Sequence, residues 1–397
     1  MAKAAKLAGF TLLMLFIIAT SYLAGSAAGF ILTSPVMAEK SIAPPPAPEE
    51  EFRVFWEAWR IVENEFYRRP IDSKELTYGA IRGALSTLED ENTAFIIPEH
   101  IAIIREDLTG TFQGIGALVE MNEDGYLVIA EPLAGRPADL VGLKAGDLVL
   151  EVDGVEIRGM NLIDAVSLIR GPKGTTVRLT IQRQGVLEPF EVEIVRERIE
   201  LRTIEYRLLN GEIGYIKLNE FNSQAPRQLR AALIDLLAEN PRGLILDLRD
   251  DPGGLVTAAI DVGSEFIAQG VIMSERGKDR EEDHEAQGGG LATEIPLVVL
   301  VNGGSASASE IVAGAIQDYG RGILIGERTV GKGSVQVQHQ LSDGSGLRIT
   351  IAHWFTPHGR LIEGEGLIPD VEVYITDEHL ASGLDPQLEL AIDYLER

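Results

Sequence analysis

"LVVLVNGGSASASEIVAGAIQDYGRGILIGERTVGKGSVQ", Leu297 to Gln336, holds a strand, a helix and a second strand in one stretch. An apolar run from Leu297 to Asn302 is followed by a small-residue turn. Apolar residues at helical spacing then run from Ser307 to Tyr319, and a second apolar run covers Gly322 to Glu327. Short continuous apolar runs fit strands buried on both faces. "GLILDL" (Gly243 to Leu248) and a helical pattern from Leu255 to Ile267 precede the stretch, so strand and helix alternate. That alternation predicts an α/β fold with a parallel sheet and right-handed crossovers. Loops at the carboxyl ends of parallel strands share one edge, where open α/β sheets bind ligands. This edge would bring together "RDDPGG" (Arg249 to Gly254), "GGSASASE" (Gly303 to Glu310) and "RTVGKGSVQ" (Arg328 to Gln336).

Lys332 admits two roles. Gly326, Gly331 and Lys332 come within one position of a phosphate-cradling P-loop, but Gly333 stands where a Ser or Thr must hold magnesium. No strand leading into a long helix after Lys332 is expected either. The alternative is acyl transfer: a serine cluster at a helix start, a glycine-flanked lysine and a glycine pair are the parts of a serine/lysine centre. A serine needs an adjacent base, and a lysine serves only if its surroundings keep it neutral. Backbone N–H groups at a helix start stabilise the developing oxyanion, and Ala308 and Gly253 are the natural donors. Simpler roles exist for each part. Ser307 and Glu310 have capping-box spacing, a lone loop lysine is usually solvated, and Gly253 with Gly254 makes an ordinary helix-entry turn.

At 397 residues the chain exceeds one ordinary domain of roughly 100 to 200 residues. A net charge of -26 with no basic run argues against a nucleic-acid partner. The absence of cysteine excludes disulfides, thiolate metal sites and cysteine nucleophiles. The six histidines are scattered without ligand spacing, so no metal site or cofactor is expected.

Upstream the texture changes three times. Lys3 and Lys6 precede an uncharged, mostly apolar run from Leu7 to Leu32, long enough to span a bilayer, so residues 1–38 read as an anchor or signal peptide. The retained anchor is favoured over cleavage at Ala38, with the body across the membrane from the cytoplasm. Residues 39–51 include the Pro-rich acidic spacer "APPPAPEEE". Residues 52–107 show helical periodicity (Phe55, Trp59, Val62; Leu76, Ile81, Ala84, Leu85). Residues 108–186 turn β-rich, with a hairpin signal at Asp153-Gly154 and an amphipathic helix begun by Asn161. Residues 187–397 hold the α/β core.

With "LILDLRDDPGGL" before the opening stretch and "TPHGRLIEGEGLIPDV" after it, the chain resembles the carboxyl-terminal processing proteases, also called tail-specific proteases. The resemblance implies a multidomain α/β protein: a crotonase-like serine protease core, a β-rich PDZ domain inserted before it, and a small N-terminal helical region. It implies Ser307 as nucleophile, Lys332 as general base, Gln336 as the residue that orients and hydrogen-bonds the lysine, and Gly253 and Ala308 as oxyanion donors. Only the resemblance separates Ser307 from Ser305 and Ser309. Gly114, Ile115 and Gly116 would form the PDZ loop that holds a substrate's terminal carboxylate. Arg170 would couple the PDZ domain to the core. The expected partners are proteins with exposed apolar C-terminal tails, a second copy in a homodimer, and the membrane of a bacterial envelope, with the catalytic body extracytoplasmic. One departure is Asp250 and Asp251, where the family often has asparagine; a carboxylate beside Lys332 would raise its pKa. The rival from another class is a PDZ tail-binding scaffold on an inactive protease fold.

Overall fold

The computed structural model describes residues 49–397, so the expected anchor (1–38) and most of the acidic spacer lie outside the described residues. Among the described residues no helix is long and apolar enough to cross a membrane. The described chain falls into two compact units, one ending at Ser73 and one running from Lys74 to Arg397. The first contains helix α1 (Glu49–Glu65), whose apolar stripe leaves Phe52, Phe55 and Trp56 exposed.

The second unit takes in most of α2 (Ser73–Ser86), then β1 (Ala94–Ile96) and α3 (Pro98–Leu108). Sequence periodicity covers the helices but not β1, which falls in the polar break "LEDENTAF". Three residues are too few to show a period of two, and β1 exists by pairing with a strand some 250 positions later in the chain. Tyr78 of α2 is buried, packs against Phe95 with tilted rings 4.7 Å apart and donates to Asp343 at 2.7 Å, which fixes the helix on that same sheet.

β2 (Thr111–Gly114) leads into the β-rich module: β3 (Ala117–Met121), β4 (Leu127–Pro132), α4 (Pro137–Leu140), β5 (Leu148–Val152), β6 (Val155–Glu156), α5 (Leu162–Ile169), β7 (Thr176–Gln182) and β8 (Phe190–Val195). The sheet order is β3-β4-β5-β7-β8, antiparallel throughout, with β6 turned back on β5. Positive φ at Asp153 and Gly154 makes the expected hairpin, and the Asn161 side chain caps α5 by accepting from Asp164 N–H at 2.9 Å. β8 pairs with β7 and buries Ile194, so this sheet extends to Val195, past the 186 boundary drawn from sequence. β9 (Glu197–Glu200) then pairs with β2, so the chain enters and leaves the module through one two-stranded ribbon.

The core follows: β10 (Ile204–Leu209), β11 (Ile213–Leu218), α6 (Ala225–Ala238), β12 (Gly243–Asp247), α7 (Val256–Phe266), β13 (Val271–Gly277), β14 (Glu281–Glu285), β15 (Leu297–Val301), α8 (Ala308–Asp318), β16 (Ile323–Gly326), β17 (Ser334–Gln340), β18 (Gly346–Phe355), β19 (Val371–Glu372), α9 (Asp377–Ser382) and α10 (Pro386–Glu396). The main sheet runs β10-β11-β12-β15-β16-β19, parallel from β11 onward. Alternate strand residues serve its two faces. Leu244, Leu246, Val299 and Leu324 pack with α6, α7 and α8, while Ile245, Val298, Leu300 and Ile325 pack with Ala391 and Leu395 of α10. Burial on both faces is why these strands read as unbroken apolar runs. A second, antiparallel sheet, β1-β18-β13-β14 with β17 on β18, receives the chain after Lys332.

Phe266 of α7 is fully buried in the main cluster. Phe266→Ala is expected to cost about 3–5 kcal/mol, read as a lower urea midpoint of the core transition. An unchanged midpoint would mean that this cluster does not set core stability.

Candidate active site

The parallel order places the ends of β12, β15 and β16 side by side, so the three loops singled out in the sequence share one edge. The β12 loop is rooted in buried charge. Asp247 accepts from Arg249 at 2.6 Å and from Tyr215 OH at 2.7 Å, and Arg249 also reaches Asp385 and Gln387 beside α10.

The β15 loop separates its three serines. Ser305 is fully buried and donates to Leu248 O at 2.7 Å; Ser309 is fully buried and donates to Asp251 O at 3.0 Å. Ser307 is partly exposed, and among the described residues its hydroxyl donates to no group. It sits at φ 55°, ψ −112°, a region that a non-glycine residue occupies only at a cost of about 1–3 kcal/mol. The capping box read from S-x-x-E spacing is present, with Ser307 N–H donating to Glu310 at 2.8 Å.

Glu310 does more than cap. Its carboxylate, fully buried, also accepts from Thr329 Oγ1 at 2.5 Å, Gly331 N–H at 2.7 Å and Lys332 N–H at 2.9 Å. One side chain therefore ties the strained Ser307 turn to the Lys332 turn. The lysine turn is braced from its other side by Gly333 N–H donating to Glu363 at 2.7 Å and Trp354 Nε1 donating to Lys332 O at 3.0 Å. Thr329 and Glu363 went unread in the sequence because their partners lie far along the chain; the capping spacing was the one signal for Glu310.

Lys332 is half-buried. Burial lowers its pKa below the ordinary lysine value, the Arg348 guanidinium lowers it further, and Glu363 and Glu310 oppose. Asp250 and Asp251 are not among the groups acting on it. Asp250 exchanges hydrogen bonds with Asn302 at 2.8 and 2.9 Å, and Asp251 turns to Gly253. Gln336 lies on β17 and donates its amide to Ser334 Oγ at 2.7 Å. Among the described residues no hydrogen bond joins Gln336 or Ser307 to the Lys332 ammonium; the serine and lysine turns meet through their backbone N–H groups on Glu310.

Gly253 is the residue of the β12 loop that lies against the serine turn. At φ +95° a Cβ there would fall 2.6 Å from Ala306 O, 2.8 Å from Ala308 N and 2.8 Å from Ser307 Cβ, so only glycine fits. Its N–H donates to Asp251 Oδ1 at 2.8 Å, whereas Ala308 N–H has no partner among the described residues.

In the β-rich module a cavity of about 670 Å³ lies along β3 and α5. Gly114, Ile115 and Gly116 line it, with Leu162 and Val166 of α5 and Ile103 and Ile104 of α3. The N–H groups of Ile115 and Gly116 have no partner among the described residues. Gly116, at φ +74°, lies so close to Arg136 that a Cβ would be 2.6 Å from that side chain. Arg170 also lines the cavity, stacks on Phe112 at 4.6 Å and pairs with Asp107 at 2.8 Å. It reaches α3 rather than the Ser307 loop.

Comparison with known proteins fits this geometry. The chain matches the sequence model for peptidase family S41 over residues 212–373 and that for the PDZ domain over residues 128–183. It is 39% identical over 325 residues to a carboxy-terminal-processing protease of Bartonella bacilliformis, covering 80% of this chain and 74% of that one. It is 37% identical over 345 residues to a carboxyl-terminal-processing protease of Synechocystis, covering 85% and 81%. Among solved structures, a photosystem II D1 C-terminal processing protease superposes with a TM-score of 0.55 at 30% identity, over 82% of this chain and 93% of that one.

Glu310→Ala would leave four donors without their acceptor. At about 1–3 kcal/mol for each buried donor left unpaired, it is expected to lower the urea midpoint by more than any single-serine variant. A midpoint equal to the parent's would show that this carboxylate does not hold the two turns.

Proposed function

The chain belongs to the carboxy-terminal processing proteases of peptidase family S41, and on that premise we propose that it cleaves tail-bearing proteins by an acyl-enzyme route at Ser307, with Lys332 as base. Neutral Lys332 Nζ takes the Ser307 hydroxyl proton as Oγ attacks the scissile carbonyl carbon. The carbonyl oxygen becomes an oxyanion, facing the N–H groups of Ala308 and Gly253. As the tetrahedral intermediate collapses, the C–N bond breaks and protonated Lys332 gives its proton to the leaving amine. Water then attacks the acyl-enzyme, with Lys332 again the base.

The observation that carries this reading is the joint one around Glu310. A serine with an undonated hydroxyl is tied through one buried carboxylate to a turn whose lysine is held below its ordinary pKa by burial. Proton transfer needs Lys332 Nζ within hydrogen-bond reach of Ser307 Oγ, and such bonds commonly tighten only with substrate in place. Gln336, on the strand leading away from Lys332, would orient it at that stage.

The cavity along β3 and α5 would take an apolar C-terminal tail as an added strand, with the free N–H groups of Ile115 and Gly116 on the terminal carboxylate. Arg170, which lines the cavity and pairs with Asp107 of α3, would report occupancy to the core. A crotonase-like label for the core, a homodimer through the exposed α1 stripe, and an N-terminal anchor placing the body outside the cytoplasm complete the proposal.

Cleavage of an unfolded protein with an apolar C-terminal tail, followed by mass spectrometry, is expected for the parent, with Ser307→Ala and Lys332→Ala slower by about 10⁴-fold or more. Because the base must be neutral and its pKa is lowered, kcat/KM should rise with pH along a limb centred below pH 10.5, and Lys332→Ala should lack that limb. Tail binding by the parent without cleavage would instead favour the scaffold. Equal cleavage by both variants would place the chemistry elsewhere.

A further inference from the structure

The proposed oxyanion site has one N–H already in use. Asp251 is fully buried, and its Oδ1 accepts from Gly253 N–H at 2.8 Å. Its backbone oxygen accepts from Ala306 N–H and Ser309 Oγ, both at 3.0 Å, which locks the residue beneath the serine turn. Its second carboxyl oxygen, Oδ2, is buried with no hydrogen-bond partner among the described residues. Gly253 is meanwhile in direct contact with Ser307 and Ala308.

We propose that Asp251 is a positioning residue: its carboxylate withholds Gly253 N–H from the oxyanion, so the Ser307 centre works with Asp251 protonated and is damped with Asp251 ionised. The inference rests on the assignment of Ser307 as nucleophile. Two effects act in the same direction. A hydrogen bond to an ionised acceptor is roughly twice as strong as one to a neutral acceptor, so ionisation holds the N–H more firmly. The charge would also sit beside a site built to receive developing negative charge. Protonation at the unpartnered Oδ2, from solvent, removes both.

The surroundings favour the protonated form. A buried carboxylate oxygen without a donor is costly, and burial pushes Asp251 up to about 8, against the Gly253 N–H and the Ser309 hydroxyl, which favour the charged form. From neighbouring elements Glu220, after β11, pushes in the same direction and Lys217 of β11 opposes. Arg249, on the same loop, is committed to Asp247 and Asp385. Glu220 is itself pushed up to about 7 by burial and then Asp107, so removing Asp251 should leave a smaller limb in the same range.

The deciding experiment follows the Gly253 amide by NMR in the full-length protein labelled with ¹⁵N-glycine, between pH 5 and 10, in Ser307→Ala and in Ser307→Ala with Asp251→Asn. A Gly253 shift that titrates well above the ordinary carboxylate range in the first and loses most of that change in the second, leaving at most the smaller Glu220 limb, supports the proposal. No titration, or the same titration in both, overturns it, and neither outcome depends on activity. With Ser307 intact, the parent's kcat/KM should fall on the alkaline side while Asp251→Asn gains about tenfold or more there, a fraction of the 10²–10³ that one oxyanion donor supplies. Superimposable pH profiles for parent and Asp251→Asn would overturn the catalytic half of the proposal. A parent without Ser307-dependent cleavage would fail the functional assignment instead, with the amide titration still deciding whether Asp251 controls the Gly253 N–H. Thermal unfolding of both proteins at each pH separates these effects from misfolding.

Discussion

Everything at the candidate site depends on one buried carboxylate. Glu310 accepts four hydrogen bonds, from the backbone of Ser307, the hydroxyl of Thr329 and the backbone of Gly331 and Lys332. A buried charge is tolerated only when its acceptor sites are filled, and here the donors come from two different loops. The arrangement therefore works in both directions: the loops neutralise the cost of the charge, and the charge fixes the distance between the loops. The strained φ of Ser307 persists because this bond and the Gly253 contact leave the turn no roomier alternative.

The sheet explains how the two loops come to be neighbours at all. β15 and β16 are adjacent and parallel, so the chain must cross over through α8 between them. The crossover starts at Ser307, and the next strand ends just before Arg328. This much was legible in Leu297 to Gln336, because burial on both faces leaves an apolar run that periodicity cannot miss. The five core elements that pattern named, β12, α7, β15, α8 and β16, lie within a residue or so of where it put them, whereas β10, β11, α6 and the strands of the second sheet were not placed by it. Burial of Ser305 and Ser309 adds what sequence lacked, a physical reason for setting Ser307 apart from its two neighbours.

What stayed illegible is nonlocal. β1 has no periodicity of its own and is defined by β18. β8 belongs to the sheet of the β-rich module because it pairs with β7, whereas its alternation of buried and exposed residues fits any half-covered strand. Glu310 announced only its capping half, since Thr329 and Lys332 are reached through the fold. The concern that Asp250 or Asp251 would charge Lys332 also needed coordinates, because direction rather than composition decides it: one carboxylate turns to Asn302 and the other to Gly253. The family resemblance supplied the roles of Gln336 and Arg170, and the hydrogen bonds found for both run to other partners, Ser334 and Asp107.

The central claim is that Ser307 becomes acylated with Lys332 as its base, and trapping the intermediate tests it most directly. The parent and Lys332→Ala would be mixed with an activated ester of an apolar peptide, quenched in acid within the first turnover, and digested for mass spectrometry. An acyl group on Ser307 in the parent, and none in Lys332→Ala, is the predicted result. An acyl group on Ser305 or Ser309, or equal labelling of Ser307 without the lysine, would contradict it.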